Sequence, residues 1–113
     1  MKNILLILLT IFCIGQKTFA YDCAVGGIAY NLNYNTASVT YFSMEYNHGY
    51  YFREVKIPSH ITYDGTTYTV NTIAENAFIN CTKLTSITIP STVTYIHGEA
   101  FAGCSSLSVL TIE

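Results

Sequence analysis

The amino-acid sequence predicts a mainly β protein: a solenoid of about two to three coils, preceded by an N-terminal antiparallel β cap. Two observations support the solenoid, a 23-residue repeat of apolar positions near the C-terminus and a partial copy of it upstream. A third observation, an alternation of apolar and polar residues before the repeats, predicts the cap. Repeats of this length bury their apolar faces against one another, which makes stacked coils the expected architecture.

The repeat is visible when residues 73–89 are aligned with residues 96–112, a shift of 23 positions. Isoleucine, alanine, phenylalanine, cysteine, leucine and threonine recur at matching positions, and Ile87 is replaced by Leu110. Because nearly every recurring position is apolar, the two copies are expected to stack around one core, with Phe78 above Phe101. The predicted core residues are Val55, Ile57, Ile73, Phe78, Cys81, Leu84, Ile87, Ile89, Ile96, Phe101, Cys104, Leu107, Leu110 and Ile112.

A partial third copy lies upstream, where residues 55–59 match residues 87–91 with a spacing of 32. The additional residues of this longer spacing are explained by a hairpin inserted at about residues 62–70. Its turn is expected at Asp64–Gly65, since this pair readily adopts the positive φ angles that tight hairpins require. The repeat region is therefore predicted to span residues 55–113.

Residues 21–54 are predicted to form the N-terminal β cap. Apolar side chains from Ile28 to Tyr34 alternate with alanine and asparagine, which is typical of a strand with one buried face. Turns are expected near residues 35–37 and 47–49, so that two or three antiparallel strands form, the last one continuing to Ile57. We expect these strands to cover the first coil, because an uncovered solenoid end exposes its core.

Residues 1–20 are predicted to be a cleavable signal peptide. Lys2 is followed by an apolar run over residues 4–15, and Thr18 and Ala20 place small side chains before the expected cleavage site. A membrane anchor is the alternative, but twelve helical residues rise only about 18 Å, short of the roughly 30 Å of a hydrocarbon core. The mature chain is therefore expected to be secreted or cell-surface exposed, with no transmembrane segment.

The segment 21–113 is acidic and carries few charges. It contains three lysine or arginine residues and seven aspartate or glutamate residues, a net charge of −4 with neutral histidines. No basic stripe occurs, so nucleic acid is not an expected partner.

The cysteines and histidines do not form a recognisable reactive site in the sequence. Cys81 and Cys104 occupy equivalent repeat positions, which allows either a disulfide or a pair of small buried side chains, and their place in the core favours the second interpretation. Cys23 makes the number of cysteines in this segment odd. No metal-ligand spacing occurs, and His48, His60 and His97 lie in separate turns. We expect no metal, no cofactor and no catalytic residue.

The pattern Ile-x-x-x-Ala-Phe-x-x-Cys-x-x-Leu-x-x-Ile-x-Ile-Pro closely resembles the BspA-like, treponemal-type leucine-rich repeat. The resemblance extends over residues 55–112, with the Ala-Phe-x-x-Cys core as its distinctive part. Ala74 and His97 depart from it, because the family usually has glycine after the isoleucine that opens each repeat. The resemblance implies a secreted or surface-exposed bacterial protein, often involved in adhesion, with neither catalytic residues nor a cofactor.

The predicted binding surface is the outward face of the stacked strands. The repeat alignment gives two outward columns, Glu54, Ser86 and Val109, and Lys56, Thr88 and Thr111. We expect a protein or glycan ligand there, and self-association through the uncapped C-terminal edge. The alternatives are a truncated fragment of a longer repeat adhesin without independent function and, least favoured, a small secreted hydrolase.

Overall fold

A computed structural model describes residues 21–42, Tyr51 and residues 53–113. The predicted signal peptide and the predicted turn at residues 47–49 lie outside these residues. The described part of the chain contains β-strands and no helix, which confirms the prediction of a mainly β protein. The strands are β1 (Cys23–Val25), β2 (Ile28–Asn33), β3 (Thr36–Thr40), β4 (Arg53–Lys56), β5 (His60–Tyr63), β6 (Thr66–Ile73), β7 (Leu84–Ile89), β8 (Tyr95–Ile96) and β9 (Val109–Ile112).

The first sheet has the strand order β1-β2-β3-β6-β5, and β8 also pairs with β6. Strands β1, β2 and β3 form an antiparallel meander. Strand β3 then runs parallel to β6, with a register shift between Ala37 and Ser38, and β6 runs parallel to β8. Strand β3 therefore joins the antiparallel meander to the parallel part of the sheet.

The second sheet contains β4, β7 and β9, all parallel. Strand β4 was predicted both as the last strand of the antiparallel meander and, through the match of residues 55–59 with residues 87–91, as the first repeat strand, and the structure shows the second arrangement. It pairs with β7 in the second sheet, because Val55 and Ile57 continue the apolar pattern of Ile87 and Ile89. Ile57 is buried against that repeat and Val55 is partly buried.

Left-handed backbone conformations occur at the turns. The hairpin between β5 and β6 turns at Asp64 (φ 52°) and Gly65 (φ 81°), the predicted pair. Asn80 (φ 56°) and Gly103 (φ 78°) occupy equivalent positions in the two repeats. A Cβ atom at residue 103 would collide with the Asn80 side-chain oxygen and lie 3.2 Å from its Cα, so the second repeat requires glycine there.

The core lies between the two sheets. Half of the predicted core residues are buried: Ile57, Ile73, Phe78, Cys81, Leu84, Ile87 and Ile89. Val55, Phe101, Cys104 and Leu107 are partly buried against them. The structure adds residues of the N-terminal strands and the hairpin to the same core, among them Cys23, Tyr30, Ala37, Val39, Ile61 and Val70. Residues before position 55 and the repeats thus share one apolar interior.

Three predicted core residues are exposed instead. Ile96, Leu110 and Ile112 have exposed fractions of 39%, 50% and 66%. They lie on β8 and β9, whose described pairings are only with strands of the preceding repeat. Their apolar side chains are consequently covered from one side only.

Aromatic rings form a column through this core. The centroids of Phe78 and Phe101 are 5.2 Å apart with parallel planes, as the repeat alignment predicts. Tyr51 extends the column on the other side, 4.7 Å from Phe78, and is followed by Phe42 at 5.5 Å and Tyr21 at 5.2 Å. The column therefore connects the repeats to the N-terminal strands.

The hydroxyl of Tyr51 adds a polar anchor to this column. It accepts a hydrogen bond from the Ala29 N–H (3.0 Å) and donates one to the Thr40 carbonyl (3.1 Å). Burial raises the pKa of this hydroxyl, although the bond from Ala29 opposes the shift. Tyr51 thus holds β2 and β3 while its ring packs in the interior.

Candidate binding surface

The outward face of the second sheet is built from alternate residues of its three strands, because successive side chains of a strand point to opposite sides. Val55, Ile87 and Leu110 form the row that points inward, and the residues flanking each of them point outward. We call the surface formed by these outward residues the strand face. It consists of Glu54, Lys56, Ser86, Thr88, Val109 and Thr111.

The strand register brings these six residues together from three separate segments. Glu54 pairs with Ser86, which pairs with Val109, and Lys56, Thr88 and Thr111 are matched in the same way. These are the two columns that the spacings of 32 and 23 predict. Neighbouring residues of a column are about 4.8 Å apart, so each column spans roughly 10 Å across three strands.

The chemistry of the strand face changes from one edge to the other. Strand β4 contributes an exposed carboxylate and an exposed ammonium group, from Glu54 and Lys56. Strand β7 contributes the half-buried hydroxyls of Ser86 and Thr88, and β9 contributes the 52% exposed side chain of Val109 and the exposed hydroxyl of Thr111. The strand face therefore has a charged edge, a hydroxyl centre and a second edge with one apolar and one hydroxyl side chain.

Hydroxyl groups at the beginning of the strands hold the three strands in this register. The Thr85 hydroxyl donates to the Arg53 carbonyl at 2.9 Å, and the Ser108 hydroxyl donates to the Thr85 carbonyl at 3.4 Å. The Ser108 N–H also donates to the Thr85 carbonyl, at 3.0 Å. The positions of the outward side chains are therefore set by both backbone and side-chain hydrogen bonds.

A pocket that the repeat analysis did not identify lies beside β4. Its volume is about 190 Å³, and its walls are formed by Gly26, Gly27, Ile28, Tyr51, Glu54, Val55 and Lys56. Gly26 and Gly27 make the turn between β1 and β2 with positive φ angles of 59° and 82°. The adjacent glycines were the available sequence signal, since their missing side chains leave this wall open.

Cys81 and Cys104 lie at equivalent positions of neighbouring repeats. Both are thiols, and no disulfide joins them. The Cys104 thiol donates to the Phe78 carbonyl at 3.0 Å, and the Cys81 thiol donates to the Ile79 carbonyl at 3.8 Å. Burial, reinforced by Cys104, raises the pKa of Cys81 to about 12, and burial also raises the pKa of Cys104. Protonated, buried thiols are weak nucleophiles, which favours a packing role.

The described histidines each contact a neighbouring side chain. The Ser59 hydroxyl and His60 Nδ1 are 3.0 Å apart on an exposed strand end. The His97 ring contacts Tyr95 edge to face, with centroids 4.6 Å apart. His48 lies outside the described residues. Over residues 21–42, Tyr51 and 53–113, no group of three or more potential metal ligands is found, and no helix long and apolar enough to span a membrane occurs.

Comparisons with solved structures find similar repeat proteins from bacteria. A leucine-rich repeat protein from Bacteroides ovatus is 34% identical with a TM-score of 0.69, over 80% of this chain and 23% of that one. A leucine-rich cell surface protein from Faecalibacterium prausnitzii is 33% identical with a TM-score of 0.66, over the same shares. The Treponema pallidum leucine-rich repeat protein is 25% identical with a TM-score of 0.60, over 80% of this chain and 38% of that one.

The chain thus spans about a quarter of the length of the first two relatives. Among curated proteins, none matches it. The family model of the BspA type leucine-rich repeat region, however, matches residues 13–113 in six copies, a range that begins well before the predicted repeats. The parallel strand register, the aromatic column and this match agree, and the chain belongs to the family of BspA-type leucine-rich repeat proteins.

Proposed function

We propose that the chain is an exported protein that works at the cell surface by binding a protein or another macromolecule through the strand face. In this proposal the signal peptide is removed after Ala20, and the remaining chain winds as a leucine-rich-repeat solenoid of two to three coils behind its β cap. The family supports this function, as does the F. prausnitzii relative, which is described as a cell surface protein.

The observation that carries the proposal is the register of β4, β7 and β9. It presents six side chains from residues 54–56, 86–88 and 109–111 on one surface, with mixed charge, hydroxyl and apolar chemistry. Binding is favoured over catalysis because the strand face contains no imidazole or thiol and has a single carboxylate. Small hydroxyls at its centre leave room for the side chains of a partner to approach the sheet.

The test is a solid-phase binding experiment with the chain from Tyr21. The probes are a panel of immobilised extracellular-matrix proteins and of neutral and acidic glycans. The double variant S86R/T88R places two bulky charged side chains at the centre of the strand face and should abolish binding to any probe that the unmodified chain retains. The matched control, T67R, makes the same kind of change at an exposed position of the β5–β6 hairpin.

Binding that is lost in S86R/T88R and retained in T67R supports the proposal. Equal binding by all three proteins would contradict the role of the strand face. Failure of the unmodified chain to bind any member of the panel would contradict the adhesive function itself. Circular dichroism of each variant shows whether a loss of binding reflects a loss of fold.

A further inference from the structure

Among the described strands, β4 is paired along one edge, by β7, and no other described strand pairs with its second edge. The Ile57 N–H donates to the Thr88 carbonyl at 3.0 Å, and residues 54–56 pair in regular register with residues 86–88, so Val55 and Ile57 face β7. The register shifts only before this stretch, between Arg53 (φ 67°) and Glu54. The backbone groups of Glu54 and Lys56 must point the other way, because these directions alternate along a strand. Among the described strands, β7 is the one that pairs with β4, and the 190 Å³ pocket lies beside Glu54, Val55 and Lys56.

The sequence of this edge is complementary to itself. When Glu54-Val55-Lys56 is placed antiparallel to a second copy of the same segment, Glu54 lies opposite Lys56, Val55 lies opposite Val55, and Lys56 lies opposite Glu54. Opposite charges directly across an antiparallel pair stabilise it, whereas like charges destabilise it. Charge therefore favours this register over one shifted by two residues, which would set Lys56 opposite Lys56 or Glu54 opposite Glu54.

The direction of the backbone groups agrees with the same register. Glu54 of one copy and Lys56 of the other point their N–H and C=O groups at each other and can exchange two hydrogen bonds. By symmetry, Lys56 of the first copy and Glu54 of the second make two more hydrogen bonds. The two Val55 residues face each other at the non-hydrogen-bonded position between these pairs. A two-fold axis through Val55 satisfies all these backbone groups at once.

We propose that two copies of the chain form a symmetric dimer by antiparallel pairing of their β4 strands. The result is a six-stranded sheet in the order β9-β7-β4-β4-β7-β9. Half-buried Val55 lies at the axis, beside the pocket walled by Gly26 and Gly27. This contact uses the same surface on both copies and closes at two chains. It does not depend on the proposed function.

The charge pattern provides the first test, by sedimentation velocity of the chain from Tyr21 over a range of concentrations. The unmodified chain should dimerise. The single variants E54K and K56E each create two like-charge pairs and should weaken dimerisation by roughly tenfold or more. An equimolar mixture of E54K and K56E should dimerise again, and so should the double variant E54K/K56E, because both restore opposite charges.

A monomeric unmodified chain overturns the proposal. Dimerisation that is unchanged in E54K and K56E also overturns it, and would place self-association elsewhere, as at the exposed edge of β9. Weak dimerisation of the double variant and of the mixture would show that the two charges do not face each other. Circular dichroism shows whether each variant keeps its fold.

A cross-linking experiment tests the position of the axis. Non-hydrogen-bonded partners lie about 4.5 Å apart at Cα, within the range of a disulfide. In a buffer with oxidised glutathione, V55C should form a covalent dimer. The two introduced thiols form a disulfide bond, and the disulfide bond of glutathione is broken to give two glutathione thiols. The control T67C contains the same native cysteines and an exposed thiol on the hairpin. Equal cross-linking of V55C and T67C would overturn the proposed axis.

Discussion

The rings of Phe78 and Phe101 lie parallel, with centroids 5.2 Å apart and an interplanar angle of 1°. They occupy the same position in successive repeats, so this contact measures how one repeat packs on the next. Phe78 is fully buried and also contacts Tyr51 at 4.7 Å, whereas Phe101 is only partly buried. Their contributions to stability should therefore differ.

Replacement of Phe78 by alanine should lower the free energy of unfolding by about 3–5 kcal/mol, the usual cost of deleting a buried phenylalanine ring. Phe101→Ala should cost clearly less, because its ring is less buried and contacts a single ring of the column. Urea denaturation of the chain from Tyr21 measures both values. A larger loss in Phe101→Ala than in Phe78→Ala would contradict the described position of Phe78 at the centre of the column.

Replacement of Gly103 by alanine should destabilise the protein by more than left-handed strain alone. The substitution places a Cβ atom against Asn80 in a residue with φ 78°, so strain of about 1–2 kcal/mol is joined by a steric collision. Gly65→Ala is the matched control, because Gly65 has φ 81° and its added Cβ meets no atom within 4 Å. Thermal unfolding should give the lower Tm for Gly103→Ala, and equal Tm values would show that Asn80 does not obstruct residue 103.

Replacement of Tyr51 by phenylalanine should cost about 1–3 kcal/mol, because it keeps the ring but leaves the buried Ala29 N–H without its acceptor. Tyr30→Phe is the control. The Tyr30 hydroxyl is buried and makes no hydrogen bond in the described part of the chain, so its removal should be neutral or stabilising. Denaturant midpoints of the two variants measure the difference, and the opposite order would refute the anchoring role of the Tyr51 hydroxyl.

Stability should fall at alkaline pH in a manner that depends partly on Cys81. Burial, followed by the influence of Cys104, raises the pKa of Cys81 from its ordinary 9.0 to about 12. The folded chain then retains a proton that the unfolded chain releases, so the contribution of this thiol is complete below pH 9 and is lost as pH rises toward 12. Denaturant titrations at several pH values should show a shallower decline in Cys81→Ala, and identical slopes would contradict the raised pKa.

Much of the repeat packing could be predicted because the repeat spacing carries the information. The spacings of 32 and 23 give the pairing of Glu54 with Ser86 and of Ser86 with Val109, since the apolar residues that follow them, Val55, Ile87 and Leu110, recur at equivalent positions. The turn at Asp64–Gly65 could be predicted for a local reason, the tolerance of these two residues for positive φ angles. Both inferences depend on short-range or strictly periodic signals.

The remainder depends on contacts that have no period. Tyr51 lies 27 residues before Phe78, a spacing that differs from both repeat spacings, so its place in the aromatic column was not apparent. The parallel pairing of β3 with β6 includes a register shift, which breaks the alternation on which strand predictions rest. Ile112 was assigned to the core from its repeat position, but its exposure depends on which strands cover β9.

The repeat alignment predicts neither the pocket beside β4 nor the edge of β4 with which no other described strand pairs. The pocket brings the Gly26–Gly27 turn and Val55 together as lining residues from segments that the repeat alignment does not relate. The complementary order of Glu54 and Lys56 becomes meaningful only when the direction of their backbone groups is known.

The strand face exists only if β4, β7 and β9 pair in parallel in the described register, and solution NMR tests this most directly. Nuclear Overhauser effects between backbone protons of neighbouring strands report which residues are paired. The structure predicts contacts that place Glu54 beside Ser86 and Ser86 beside Val109, in the parallel pattern. Contacts in an antiparallel pattern between β4 and the strands before it would contradict this register, and with it the proposed binding surface.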